Sequence, residues 1–204
     1  MKKICTSLLV AAICAAPALA QATTPYFSAS AGSGSMNKSS VDGENNVIEY
    51  NSGTAFNGSV GLEVKKNTRV EFAVGHQTND VDNIYGVSPS HYGINMSFSI
   101  WSFMANGYVD LPTKNAGITP YLMAGMGLAD VNTKFSDDVV SGYSVTYSDT
   151  VFAWQIGGGV GIKASDKVIV DLGYRYLSPS DVTVLDMKHS LSSSNLLAGI
   201  RYSF

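Results

Sequence analysis

The chain has 204 residues, 13 basic against 16 acidic, with 45% hydrophobic content, 14% charged residues, 20 Gly, 11 Tyr and two Cys. Its net charge of −3 argues against nucleic acid as a partner, and no apolar run beyond the N-terminal segment is long enough to cross a membrane as a helix. Both cysteines, Cys5 and Cys14, lie in that segment, so a chain cut after it forms no disulfide, thiolate metal site or Cys nucleophile.

The N-terminus opens on Lys2 and Lys3, runs through the apolar stretch Ile4 to Ala16 and Pro17, and reaches the small-x-small tripeptide Ala18-Leu19-Ala20. This order of charge, apolar run and cleavage pattern predicts a secretory signal peptide over residues 1–20. The apolar stretch is shorter than the roughly 18 residues of a spanning helix. A lipoprotein site at Cys14 fits poorly, because Ile13 stands where processing wants a small residue. The mature chain, 21–204, then has 184 residues with 11 basic and 16 acidic side chains, a length that suits one domain.

Eight segments follow, each about as long as the 9–11 residues of a tilted membrane strand, or longer. In the first, Tyr26 to Met36, Phe27, Ala29 and Ala31 share one face. The second, Thr54 to Val64, sets Phe56, Val60, Leu62 and Val64 against Asn57, Ser59, Gly61 and Glu63. The third, Thr68 to Gln77, sets Val70, Phe72 and Val74 against Arg69, Glu71, Ala73 and Gly75. The fourth, Ile94 to Asp110, and fifth, Ile118 to Val131, are apolar on both faces and leave their phase open. In the fourth, Ile94, Met96, Phe98 and Ile100 follow one phase and Trp101, Phe103, Ala105 and Val109 the other, a pattern that a β-bulge would produce. The sixth, Thr150 to Lys163, sets Phe152, Trp154, Ile156, Val160 and Ile162 against Gln155, Gly157, Gly159, Gly161 and Lys163. The seventh, Val168 to Leu177, sets Val168, Val170, Leu172, Tyr174 and Tyr176 against Asp171, Gly173 and Arg175. The eighth, Ser194 to Phe204, puts Leu196, Ala198, Ile200, Tyr202 and Phe204 on one face, Asn195, Gly199, Arg201 and Ser203 on the other, and ends on an aromatic residue.

The connections alternate in length. Lys65 to Asn67, Pro112 to Gly117 and Ser165 to Lys167 are short, whereas Asn37 to Gly53, Thr78 to Gly93, Asn132 to Asp149 and Ser178 to Ser193 run 16 to 18 residues. Period-2 strands that are apolar outward, with short turns at one end and long loops at the other, predict an all-β fold: an eight-stranded antiparallel transmembrane β-barrel. Both termini then lie on the short-turn, periplasmic side. Pairing of the first strand with the last leaves no edge inside the bilayer, where nothing could hydrogen-bond an open backbone.

The runs S-F-M-A-N-G-Y (102–108), T-P-Y-L-M-A-G-M-G (119–127), F-A-W-Q-I-G-G-G-V-G (152–161), D-L-G-Y-R-Y-L (171–177) and A-G-I-R-Y-S-F (198–204) resemble the small outer-membrane β-barrel proteins. That group includes the opacity and OmpA-type proteins and the rickettsial surface antigens. The resemblance implies the barrel fold, a place in the cell outer membrane among lipid and lipopolysaccharide, and recognition of the terminal strand, here Tyr202 and Phe204, by the outer-membrane assembly machinery. It does not fix an activity, since members serve as porins, adhesins, surface antigens or structural proteins.

Seven charged residues take the inward phase: Glu63, Arg69, Glu71, Lys163, Asp171, Arg175 and Arg201. An eight-stranded barrel is only wide enough for side chains to fill it, so a salt-bridged lumen network outweighs a charged pore constriction. The long loops carry ten acidic residues, Asp42, Glu44, Glu49, Asp80, Asp82, Asp137, Asp138, Asp149, Asp181 and Asp186, against Lys38, Lys134 and Lys188. Asp80-Val81-Asp82 and Asp137-Asp138 lack the ligand spacing of a calcium loop and read as solvated loop residues, so no metal or cofactor is expected. His76, His91 and His189 accompany no nucleophile motif, which argues against an enzyme, lipid-modifying barrels included. Trp154, Tyr174 and Tyr176 read as interface aromatics. The sequence therefore points to a monomeric outer-membrane barrel with a structural, surface-antigen or adhesin-like role, its loops free to meet a host or extracellular ligand. A narrow porin for small solutes is the alternative.

Overall fold

The computed structural model describes residues 24–37, 39–41, 44–84, 86–114, 117–137, 144–184 and 187–204. The expected signal peptide, with Cys5 and Cys14, lies outside them, as do Lys38, Asp42, Asp138 and Asp186. The described residues form twelve strands: β1 (Thr24–Met36), β2 (Ser39–Val41), β3 (Glu44–Tyr50), β4 (Gly53–Lys65), β5 (Thr68–Ile84), β6 (Ile94–Asp110), β7 (Ile118–Asp137), β8 (Ser144–Lys163), β9 (Val168–Pro179), β10 (Val182–Val184), β11 (Met187–Ser190) and β12 (Ser193–Ser203).

Eight of these close a barrel. β1 pairs with β4, β4 with β5, and so on through β6, β7, β8, β9 and β12, every pair antiparallel, and β12 returns to β1 with Phe27 opposite Tyr202. Outward positions carry the exposed apolar side chains Phe56, Val60, Leu122, Ile156, Leu172 and Leu196, the band that faces lipid. That band ends where Trp101 on β6 stands opposite His76 on β5, their ring centroids 4.4 Å apart. Beyond it the outward residues turn polar: Thr78, Asp80 and Asp82 on β5, Ser99 and Ser97 on β6, Asp130, Asn132 and Lys134 on β7.

Two features differ from the sequence reading. β6 has no bulge. Its register against both β5 and β7 is unbroken, and one phase runs its whole length, so Phe98, Ile100, Met104, Asn106 and Tyr108 all point inward and are buried. Phe98 and Ile100 share the inward phase of Asn106 because they sit above the lipid belt, where the interior is an ordinary apolar core rather than a polar lumen. There they pack with Met36, Val131, Leu177 and Leu191, and Tyr50 meets Phe98 edge-on at 5.4 Å.

The long connections are the second difference, for most of their length is strand. β5 to β8 continue past the belt, the first connection folds into β2 and β3, and the fourth into β10 and β11. β3 pairs with β5 (Ile48 opposite Ile84), β2 with β3, β11 with β2 (His189 opposite Val41) and β10 with β11. Above the membrane the sheet therefore runs β10-β11-β2-β3-β5-β6-β7-β8, an extracellular crown. In the second connection, Gly86 (φ 77°) and Gly93 (φ 75°) take the left-handed conformation that glycine adopts without steric cost. They flank a single 3₁₀ turn at Pro89–Tyr92.

Candidate functional site

Inward side chains form two tiers in the lumen, and the lower one is built around Arg69. Arg69 lies 3% exposed on β5 and holds Asp110 in a forked ion pair, Nε to Oδ1 and Oδ2 at 3.1 and 3.0 Å and Nη2 to Oδ1 at 2.9 Å. Its guanidinium also lies 4.4 Å from the ring centre of Tyr108, 5.2 Å from that of Tyr121 and 6.0 Å from that of Tyr26. A buried cation needs such surroundings, because it has left water and must be repaid by an anion and ring faces.

Glu71, one inward step up the same strand, has no ion-pair partner among the described residues. It accepts hydrogen bonds from Tyr108 Oη (2.9 Å), Tyr26 Oη (3.2 Å) and Asn106 Nδ2 (3.3 Å). Asn106 in turn accepts from Gln155 Nε2. Arg201 meets Asp171, with Nε to Oδ2 3.3 Å and Nη2 to Oδ1 3.5 Å, a long ion contact in which Nε lacks an aligned hydrogen bond. Arg175 donates from Nη1 to Asn57 Oδ1 at 3.1 Å.

Of the seven inward charges, the structure brings Arg69, Glu71, Asp171, Arg175 and Arg201 around one cavity of about 50 Å³. Lys163 stands apart from the lumen: its side chain is 52% exposed and pairs at 2.8 Å with Asp166 in the periplasmic turn. At the end of a strand a flexible ammonium reaches water more easily than it fills a lumen. The hydrogen bond from Lys163 holds the Asp166 carboxyl below the usual carboxylate range. Glu63 has no ion-pair partner among the described residues.

Sequence reasoning missed Asp110, the anion that Arg69 uses, together with Tyr26, Tyr108 and Tyr121. Tyr26 and Tyr121 take their room from glycines. A Cβ on Gly61 would meet the Tyr26 ring at 2.3 Å, and one on Gly159 the Tyr121 hydroxyl at 2.6 Å.

The upper tier is the apolar core of the crown, and amides line the boundary. Asn79 donates from Nδ2 to the carbonyls of Gly34 (2.8 Å) and Asn51 (2.9 Å), and Gln77 donates from Nε2 to Asn79 Oδ1 (2.6 Å), which fixes β5 to the ends of β1 and β3. On the outer face of the crown, Asp80, Asp82, Asn95, Ser97 and Lys134 line an open cleft of about 390 Å³. No group of three or more potential metal ligands occurs among the described residues. At the periplasmic rim, Phe27, Tyr202 and Phe204 form a triangle of rings with centroids 5.5, 5.9 and 5.7 Å apart, and the Phe204 N–H donates to the Pro25 carbonyl at 3.1 Å.

Comparison with known proteins agrees with this architecture. The chain is 29% identical over 133 residues to outer membrane protein PagN of Salmonella typhimurium, a match covering 57% of this chain and 54% of that one, so it spans about half the length of this relative. Among solved structures, Neisserial surface protein A superposes with a TM-score of 0.61 at 23% identity, covering 90% of this chain and 100% of that one. Ail, the attachment invasion locus protein of Yersinia pestis, in complex with the heparin analogue sucrose octasulfate, superposes with a TM-score of 0.50 at 18% identity, covering 87% and 99% of the two chains. Residues 6–204 match the outer membrane protein beta-barrel domain family, and the chain belongs to that family as an eight-stranded barrel of the outer membrane.

Proposed function

We propose that this protein is a closed barrel that acts through its extracellular crown, as an adhesin-like contact protein and surface antigen. The observation that carries the reading is the filled interior. The arginine and tyrosine tier below and the apolar tier above leave two lumen cavities of about 50 and 30 Å³, room for a few water molecules and not for a solute. The crown, by contrast, offers polar strand faces and an open cleft to the medium. Lipid and lipopolysaccharide surround the belt, and the assembly machinery reads Tyr202 and Phe204.

The relatives carry names of the same kind, a surface protein and an attachment protein. The ligand chemistry differs from the heparin analogue bound to Ail. A polysulfated ligand wants a basic surface. Asp80, Asp82, Asp130 and Asp181 on the crown oppose Lys134, so the contact suits a neutral or cationic partner.

The test is display of the full-length protein on a non-adherent Gram-negative strain beside a variant shortened at residues 39–50 and 180–192. Loss of attachment to cells or matrix in a variant that keeps heat-modifiable gel mobility supports the reading. Strong liposome swelling with no crown-dependent attachment would replace it with the porin reading.

A further inference from the structure

The two ends of the barrel differ in charge. The short turns carry Lys65, Lys66, Lys114 and Lys167 against Asp166, whereas the long loops at the other end are acidic. Lys66 lies between β4 and β5, Lys114 between β6 and β7 and Lys167 between β8 and β9, so basic residues stand at three of the four periplasmic corners. Phe27, Tyr202 and Phe204 occupy the fourth, where β12 returns to β1. Backbone hydrogen bonds hold these turns at the barrel's end. The Asp110 N–H donates to the Asn67 carbonyl, the Lys163 N–H to that of Gly117 and the Ser203 N–H to that of Lys167, each at 2.9 Å, which ties each turn to the strand beside its hairpin.

Lys66, Lys114 and Lys167 are exposed and form no ion pair among the described residues. Asp166 is held by Lys163 and Asp110 by Arg69, while Glu63 stands opposite Arg69 in the inward phase of β4. Beside the lysines the outer wall is apolar: Val109, Leu111, Ile118, Ile162 and Phe204 are exposed. Lys167 shows how such a side chain lies at this border, with Nζ 6.0 Å from the ring centre of the outward Tyr202. An ammonium on an apolar stem runs along a hydrocarbon-facing wall and puts its charge at the level of the lipid headgroups.

We propose that the periplasmic rim is a binding collar for anionic phospholipids of the inner leaflet, with Lys66, Lys114 and Lys167 each taking a headgroup phosphate. Basic residues next to an apolar span attract anionic lipid, and the attraction fades within a Debye length. The spacing of the lysines around the ring argues for lipid over a soluble partner. A soluble protein would dock from one side and meet one corner, whereas a lipid annulus meets all of them. Lysine also suits the target, as a point charge that a phosphate can approach from many directions.

The test places the full-length protein in phosphatidylcholine bilayers with a trace of spin-labelled phosphatidylglycerol or spin-labelled phosphatidylcholine. Electron paramagnetic resonance then reads the fraction of each label that the barrel immobilises. The expected result is a roughly two- to threefold preference for phosphatidylglycerol at low salt, lost at ~1 M salt, where the Debye length is about 3 Å. A triple variant carrying Lys66→Gln, Lys114→Gln and Lys167→Gln should fall to parity. The counterpart carrying Lys66→Arg, Lys114→Arg and Lys167→Arg should keep the preference, both with heat-modifiable mobility intact. Parity in the unmodified protein, or a preference that survives high salt, would overturn the proposal whatever the variants do. A preference retained in the folded glutamine variant would overturn it too. Lysine-dependent capture on isolated peptidoglycan, with no preference between the two lipids, would overturn it and give the rim to the cell wall.

Discussion

Gly173 lies directly against Tyr121: a Cβ built on Gly173 would sit 2.8 Å from the Tyr121 hydroxyl oxygen, and nothing else would come nearer than 3.6 Å. The close approach is therefore to one atom. Gly173→Ala should destabilise by roughly 1–3 kcal/mol through overpacking, and Tyr121→Phe should relieve most of that. A double-mutant cycle in urea unfolding from lipid or detergent reads the coupling. At Gly159 the added Cβ would also meet the Leu172 carbonyl oxygen at 2.3 Å, so Gly159→Ser should damage the barrel with no rescue from Tyr121→Phe, although it faces the lumen. Additive losses at Gly173 and Tyr121 would refute the pairing.

The barrel itself was legible because each membrane strand writes its own facing in period 2. Val70, Phe72 and Val74 against Arg69 and Glu71 need no partner to be read. β6 hid its facing for a physical reason: its inward side passes from a polar lumen at Asn106 and Tyr108 to an apolar core at Ile100 and Phe98. Without that phase, Asp110 could not be seen to fall within reach of Arg69. The crown was illegible for a different reason. β2, β10 and β11 have three or four residues each and owe their existence to neighbours far away in the chain, as His189 opposite Val41 shows. The resemblance to outer-membrane barrels carried the fold and location across these gaps, and could not carry lumen chemistry that depends on individual side chains.

Asp110 is the anion that Arg69 requires, so removing it should cost more than removing an inward charge with a neutral partner. Asp110→Ala leaves a 3% exposed guanidinium among tyrosine rings with its carboxylate gone, at a cost on the order of 3 kcal/mol. Arg175→Ala loses the single hydrogen bond to Asn57 and should cost about 1 kcal/mol. Neither variant should conduct in planar bilayers, because the apolar tier of Phe98, Ile100 and Leu177 stays in place. Steady single-channel current in Asp110→Ala would mean that the lower tier alone seals the lumen.

Facing toward lipid gives a sharper contrast than any lumen substitution. Ile156 is 50% exposed on the outer face of β8, between Ala124 and Tyr176 on its neighbours. Ile156→Arg should destabilise by roughly 2–4 kcal/mol near the bilayer midplane. Gly107 shares the outward phase of β6, and a Cβ there meets nothing within 4 Å. Gly107→Leu should therefore fold as well as the parent in the same urea titration, and a loss comparable to that of Ile156→Arg would contradict the assigned phase.

Phe204 tests whether the terminal aromatic serves stability or assembly. Its ring touches Phe27 and Tyr202 at 5.9 and 5.7 Å, and Phe27 meets Tyr202 at 5.5 Å, so Phe27 and Phe204 each make two ring contacts in one triangle. Loss of either ring should lower the stability of refolded protein by a similar, modest amount, about 1 kcal/mol beyond area burial. In cells the two should part. Deleting Phe204 should reduce the heat-modifiable, membrane-inserted fraction several-fold, whereas Phe27→Ala, which leaves the last strand intact, should insert nearly as well as the parent. If both variants insert equally while matching in vitro stability, Phe204 is a rim-packing residue and the assembly role falls.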